Sequence, residues 1–194
     1  MSTYPIYLRP ELAPIIAETP EQTTWDLPAM RAGGDALLAN PHEADNRVEV
    51  SARGRTFIPA DLAEDAPLII SIHGGGYVAG RAAFDDAKND ELATRFGAIV
   101  VSPEYRLAPE FPFPIPVDDC ISALAEALER FGHERPTFIL GDSAGAGLAY
   151  SMVSRLCGLG LQMAQDEAIA ARYKRIASVI RGIILLEPCV DPTL

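Results

Sequence analysis

Positive charge is scarce in this sequence. Lys and Arg total 16 against 27 Asp and Glu, a formal net charge of -11 over 194 residues. That balance argues against nucleic acid or an anionic membrane surface as partner, because both are held by clustered Lys and Arg. Long apolar runs are missing as well: none approaches the ~20 residues of a membrane span. The start, Met1-Ser2-Thr3-Tyr4-Pro5, lacks the basic-then-apolar order of a secretory leader. A soluble, cytoplasmic protein is the expectation. Cys120, Cys157 and Cys189 are odd in number, widely spaced and set in apolar patterns, which reads as buried free thiols and not as disulfides or a metal site. No internal repeat is found. Histidine is the most telling shortage, since His42, His73 and His133 are the full set and none follows Ser143.

What is present fits one globular domain: 48% of residues are hydrophobic and 22% charged, enough to bury a substantial core. Residues 1–46 are punctuated by Pro5, Pro10, Pro14, Pro20, Pro28 and Pro41 and read as an irregular or short-helical, cap-like segment. Residues 47–194 read as the body of that domain, in incomplete form. It opens with weak alternation around Arg53-Gly54-Arg55, two modest strands joined by a turn. Leu68-Ile69-Ile70-Ser71-Ile72, Ala98-Ile99-Val100-Val101, Thr137-Phe138-Ile139-Leu140 and Ile183-Ile184-Leu185-Leu186 are then nearly continuous apolar runs, the pattern of strands covered on both faces. Helical stripes separate them. Ala87, Leu92, Ala93 and Phe96 make one; Val117, Cys120, Ile121, Leu124, Leu128 and Phe131 make another. Leu148, Ala149, Met152, Val153 and Leu156 form a third, and Ile169, Tyr173, Ile176, Ala177 and Ile180 a fourth. Strand and helix in alternation predict an α/β fold, a mostly parallel sheet with helices on both faces, whose sites lie at the carboxyl ends of its strands.

Two glycine motifs fall at such ends. In Gly141-Asp142-Ser143-Ala144-Gly145 the serine would occupy a strained turn between strand and helix, where Gly141 and Gly145 let the two elements approach. Ser143 Oγ would then face the positive end of the following helix, with the Ala144 N–H ready for a developing oxyanion. In His73-Gly74-Gly75-Gly76, consecutive glycines let backbone N–H groups turn to a ligand, so Gly75 and Gly76 are the further oxyanion donors.

With Tyr77, with Tyr105-Arg106-Leu107-Ala108-Pro109-Glu110 and with Pro116-Val117-Asp118-Asp119-Cys120, these motifs resemble, in order over residues 67–147, the hormone-sensitive-lipase-like branch of the α/β-hydrolase esterases. The resemblance implies an α/β-hydrolase fold and a carboxylic-ester hydrolase. Ser143 would be the nucleophile; Gly75, Gly76 and Ala144 would supply the oxyanion hole. His73 would support its loop and not act as base, with Gly74, Gly141, Asp142 and Gly145 completing the motifs. No metal or cofactor is implied, and the partner is a small-molecule ester. Such esterases carry two further strands, with the catalytic acid after the first and the histidine after the second. The sequence reads as lacking both, which predicts an unpaired apolar sheet edge open to self-association. His42 and His133 lie away from the site, and Glu187 reads as structural. Asp191 sits where some hydrolases keep their acid. A serine without its base is a weak nucleophile, so two alternatives stay open. One is a small-molecule binding protein on the same scaffold; the other is half of a split enzyme completed by a second chain. Residues 161–180 form a longer link than expected, without an assigned role.

Overall fold

The computed structural model describes residues 26–36, 38, 41–158 and 167–189. Most of the expected cap-like segment, residues 161–166 of the long link and Asp191 lie outside these. Within them the chain runs α1 (Leu27–Ala36), β1 (Arg47–Ser51), β2 (Gly54–Ile58), β3 (Leu68–Ile72), a 3-10 turn (Ala82–Asp85), α2 (Asp86–Phe96), β4 (Ile99–Pro103), α3 (Ile115–Phe131), β5 (Thr137–Asp142), α4 (Ala144–Leu156), α5 (Glu167–Val179) and β6 (Ile180–Leu186).

The sheet order is β1-β2-β4-β3-β5-β6. β1 and β2 form an antiparallel hairpin, β2 meets β4 antiparallel, and the remaining neighbours are parallel. From β3 the chain crosses outward to β4 and then back over β3 to β5, so the order reverses between β3 and β5. A crevice opens at such a reversal, and both glycine motifs border it.

Helix boundaries follow local chemistry. Asp26 Oδ1 accepts the Ala29 N–H (3.0 Å) and caps α1. Gly97, at φ 55°, closes α2 in the left-handed conformation that glycine adopts without strain. α3 starts on Pro114 and Pro116, where a missing N–H costs nothing, and ends at Gly132.

The two sheet faces are covered differently. Leu68, Ile70, Ile72, Ile99 and Ile139 point to the face packed by α3, α4 and α5, where Leu124, Leu148, Met152 and Ile176 close an apolar core. Each such side chain contributes about 1.5–3 kcal/mol by burial. Phe57, Ile69, Val100 and Leu140 point the other way, with Ala93 of α2.

β3 and β4 are fully buried, as their runs predict. β6 departs from the covered-strand pattern and agrees with the expected apolar edge: Ile183, Ile184 and Leu186 are 38%, 51% and 44% exposed. Parallel pairing with β5 fills one edge of β6, and among the described residues nothing pairs the other. Ile180, expected on the last helical stripe, begins β6 directly after α5. The cysteines also divide. Cys120 is buried, and burial pushes its thiol far up, but Cys157 and Cys189, which lie past the ends of α4 and β6, are exposed.

Candidate active site

Ser143 is the single residue between β5 and α4, at φ 52° and ψ −117°. A side chain in that region is strained by about 1–3 kcal/mol, so the surroundings must over-determine it. They do so through glycine. A Cβ on Gly141 would overlap the Gly145 carbonyl oxygen, and one on Gly145 would overlap the Ile72 carbonyl oxygen. Backbone bonds complete the hold: Ser143 N–H donates to Leu186 O (2.8 Å), and Ser143 O accepts from Ala146 N (3.0 Å) and Cys189 N (3.3 Å). Ala144 opens α4, so its N–H is among the first four of a helix that have no intrahelical acceptor.

The second loop leaves β3 at His73 and lies against this turn. A Cβ on Gly74 would stand 3.4 Å from Ser143 Cβ. Gly75 and Gly76 have φ 124° and 63°, values that glycine tolerates and other residues rarely adopt. Gly75 O accepts from Ala79 N (2.9 Å), which closes the loop on itself.

His73 is fixed beneath it. Its ring stacks on Tyr105 with centroids 4.2 Å apart, and Tyr105 Oη donates to His73 O at 2.9 Å. Its Nδ1 lies 2.8 Å from Gly74 O, an acceptor only, which places the proton on Nδ1. Burial pulls the His73 pKa down, so the ring is neutral and tied to the loop it supports.

The Tyr105–Glu110 and Asp118-Asp119 motifs brace this layer. Asp119 accepts from Arg106 N, Nε and Nη2 (2.9, 2.9 and 2.7 Å), and Arg155 pairs with Asp118 at 2.5 Å.

The other histidines are elsewhere. His42 Nε2 lies 2.9 Å from Asp90 Oδ2, and His133 borders a small cleft with Arg172 and Arg175. Glu187 holds a positive φ of 47° just past β6. No group of His, Cys, Asp and Glu among the described residues is placed to hold a metal ion.

Three neighbours were not anticipated. Cys189 Sγ is 3.6 Å from Ser143 Oγ. Tyr77 Oη donates to Cys189 O (3.1 Å), tying the glycine loop to the segment after β6. The signal for Cys189 was its place just beyond a strand's carboxyl end. The third is Arg31 of α1, whose Nε donates to Val78 O (2.9 Å), Nη2 to Ala108 O (3.0 Å), and whose two Nη atoms grip Glu110 (2.8 Å each). A cavity of about 660 Å3 opens beside this clamp, lined by His73, Gly74, Gly75 and Glu104, on a flank of the loop that does not include Ser143.

A family model described as alpha/beta hydrolase fold matches residues 69–194. Versiconal hemiacetal acetate esterase of Emericella nidulans is 34% identical over 119 residues, which are 61% of this chain and 41% of that protein. Human hormone-sensitive lipase is 30% identical over 67% of this chain and 13% of its own length. Among solved structures, a hormone-sensitive lipase from a metagenome library superposes with a TM-score of 0.68 at 30% identity, covering 94% of this chain and 57% of that one. The chain spans less than half the length of the curated relatives it matches.

Proposed function

The chain belongs to the α/β-hydrolase fold family, and from that premise we propose that it carries the nucleophile and the oxyanion donors of a carboxylic-ester hydrolase. The carrying observation is Ser143 at φ 52° on the strand–helix turn, with the Gly74 backbone against it. Ser143 Oγ attacks the acyl carbonyl, and the N–H groups of Gly75, Gly76 and Ala144 receive the oxyanion that forms. The carbonyl carbon gains the Oγ bond, the alcohol leaves with a proton, and water then releases the acid from the acyl-enzyme. Small-molecule acyl esters are the substrate class, and a cytoplasmic setting is part of the same reading.

Proton transfer needs a base that His42, His73 and His133 do not provide: one pairs with Asp90, one is neutral and buried, and one lies in another cleft. Loss of the base from such a site removes several orders of magnitude in rate. These 194 residues are therefore expected to turn over p-nitrophenyl butyrate no faster than their Ser143→Ala variant. Added imidazole is expected to raise the rate of the parent chain several-fold over that of the variant, with mass spectrometry finding the butyryl group on Ser143. Equal rates with imidazole in both proteins, and no acylated serine, would overturn the proposal and leave the reading as a binding protein.

A further inference from the structure

The sheet face under α2 holds a row of polar side chains that ester chemistry does not use. Arg55 stands opposite Ser102 across the β2–β4 ladder, and Ile69 beside Val100 in the β3–β4 ladder puts Ser71 next to Ser102. His73 follows two residues beyond Ser71, with the same strand parity. α2 turns Asp86 and Asn89 toward this row from its buried side, and the 3-10 turn contributes Asp85.

Part of the layer is satisfied. Arg55 pairs with Asp86 Oδ2 at 2.6 Å, and Lys88 Nζ lies 2.8 Å from Asp85 Oδ2, which compensates that carboxylate's charge although no aligned hydrogen bond forms. Seven other buried side-chain atoms have no hydrogen-bond partner among the described residues: Arg55 Nε, Ser71 Oγ, His73 Nε2, Asp86 Oδ1, Asn89 Nδ2, Asn89 Oδ1 and Ser102 Oγ. All seven belong to this one layer. Ser71, Asn89 and Ser102 are fully buried, so bulk solvent does not reach them. Left unmet, their summed penalty would rival the stability of a whole domain.

The donor set selects the ligand. His73 Nε2, Asp86 Oδ1 and Asn89 Oδ1 accept, Arg55 Nε and Asn89 Nδ2 donate, and the two serine hydroxyls do both. A cation wants acceptors alone and an anion donors alone, while the charges of Arg55 with Asp86 and Lys88 with Asp85 cancel. Water matches the mixture. We propose that this layer is a built hydration site, in which about two or three internal waters, at roughly three hydrogen bonds each, join Asn89, Ser71 and Ser102 to His73 Nε2. The waters hold the glycine loop from behind, and Asn89 is a positioning residue acting through them. Two cavities flank the layer: His73, Asp85 and Glu104 border that of 660 Å3, and Arg55 and Asp86 border a second of about 550 Å3.

Two measurements on the chain test this. A crystal structure showing ordered solvent is expected to place water within hydrogen-bond distance of His73 Nε2 and of Asn89. A dry layer would overturn the proposal, whether its atoms bond one another or are met by side chains from residues 1–25. Histidine-selective 15N spectra, assigned with His42→Gln and His133→Gln, are expected to show His73 protonated on Nδ1 with Nε2 upfield of a free acceptor. Asn89→Leu should move Nε2 downfield and leave Nδ1 protonated; an unmoved Nε2 in the folded variant would overturn the role of Asn89. A consequence for rate rests on the esterase reading: in imidazole-rescued turnover, Asn89→Leu is expected to lower kcat several-fold with little change in KM. Ordered water without any Ser143-dependent turnover would sink the esterase reading alone.

Discussion

The two faces of the sheet are built by different means. On the face covered by α3, α4 and α5, side chains such as Leu124, Ile139 and Met152 pack in one apolar cluster, and among the described residues no buried side-chain nitrogen or oxygen there lacks a partner. On the face covered by α2, a much smaller apolar cluster around Phe57 and Val100 shares the space with Arg55, Ser71, Ser102, Asp86 and Asn89. The candidate site straddles the seam. Ser143 rides on β5 and α4, held by close backbone approach, whereas the glycine loop rides on β3 with its back to the polar layer. Ser143 thus sits over an apolar, closely packed face and is tied by backbone hydrogen bonds, whereas the glycine loop backs onto a face whose polar atoms lack partners among the described residues.

Substitutions that act on one face only sharpen this contrast. The largest effect is expected from Leu124→Ala, which leaves a cavity in the apolar cluster and costs about 2–5 kcal/mol in denaturant unfolding. Ser71→Ala, which removes a hydroxyl with no partner among the described residues, should cost far less by the same assay. Comparable losses from both would erase the distinction.

An intermediate effect is expected at the outer end of the polar face. Burial alone would raise the Asp90 carboxyl, but the Asp45 N–H, the His42 ring and both donors of Asn46 outweigh it and bring the pKa to about 2. An ordinary Asp titrates near ~3.9 in an unfolded chain. The folded-state value is the lower one, so this stabilisation is present above pH ~4 and is lost as pH falls toward 2. Asp90→Asn should cost about 1–3 kcal/mol near neutrality and flatten the acid limb of a stability-against-pH curve. An unchanged acid limb would assign acid unfolding to other carboxylates.

The smallest effect concerns α1, which has no buried residue and is held by the Arg31 and Arg81 ion pairs with Glu110 and Asp35. Exposed pairs are weak and screened by salt. Arg31→Ala is expected to leave the unfolding midpoint unchanged but to speed limited proteolysis within residues 27–36, and high salt should narrow the difference. A large drop in the midpoint would show that α1 belongs to the core.

Much of the fold was legible because its elements are simple in pattern. The runs at 68–72 and 137–140 are strands, and the stripe from Val117 to Phe131 is a helix, since continuous apolar strands and amphipathic helices have distinct periods. The turn at Ser143 was legible for a steric reason: only glycine fits where Gly141 meets Gly145 and Gly145 meets Ile72. The apolar run of β6 did not by itself tell of its exposure, because such a run does not state what lies across it; the unpaired edge was expected from the resemblance alone. The surface setting of Cys157 and Cys189, which lie past the ends of α4 and β6, was not legible either.

By itself, then, the sequence determined the alternation of strands and helices and the two glycine turns, because each is written in local spacing and residue size. Tertiary structure alone decided that Cys189 lies 3.6 Å from Ser143, that Arg31 reaches the loop after Gly76, and that Arg55, Ser71, Ser102 and Asn89 share one buried layer. Those proximities join residues up to 47 positions apart. They depend on strand order and register, which no local pattern encodes.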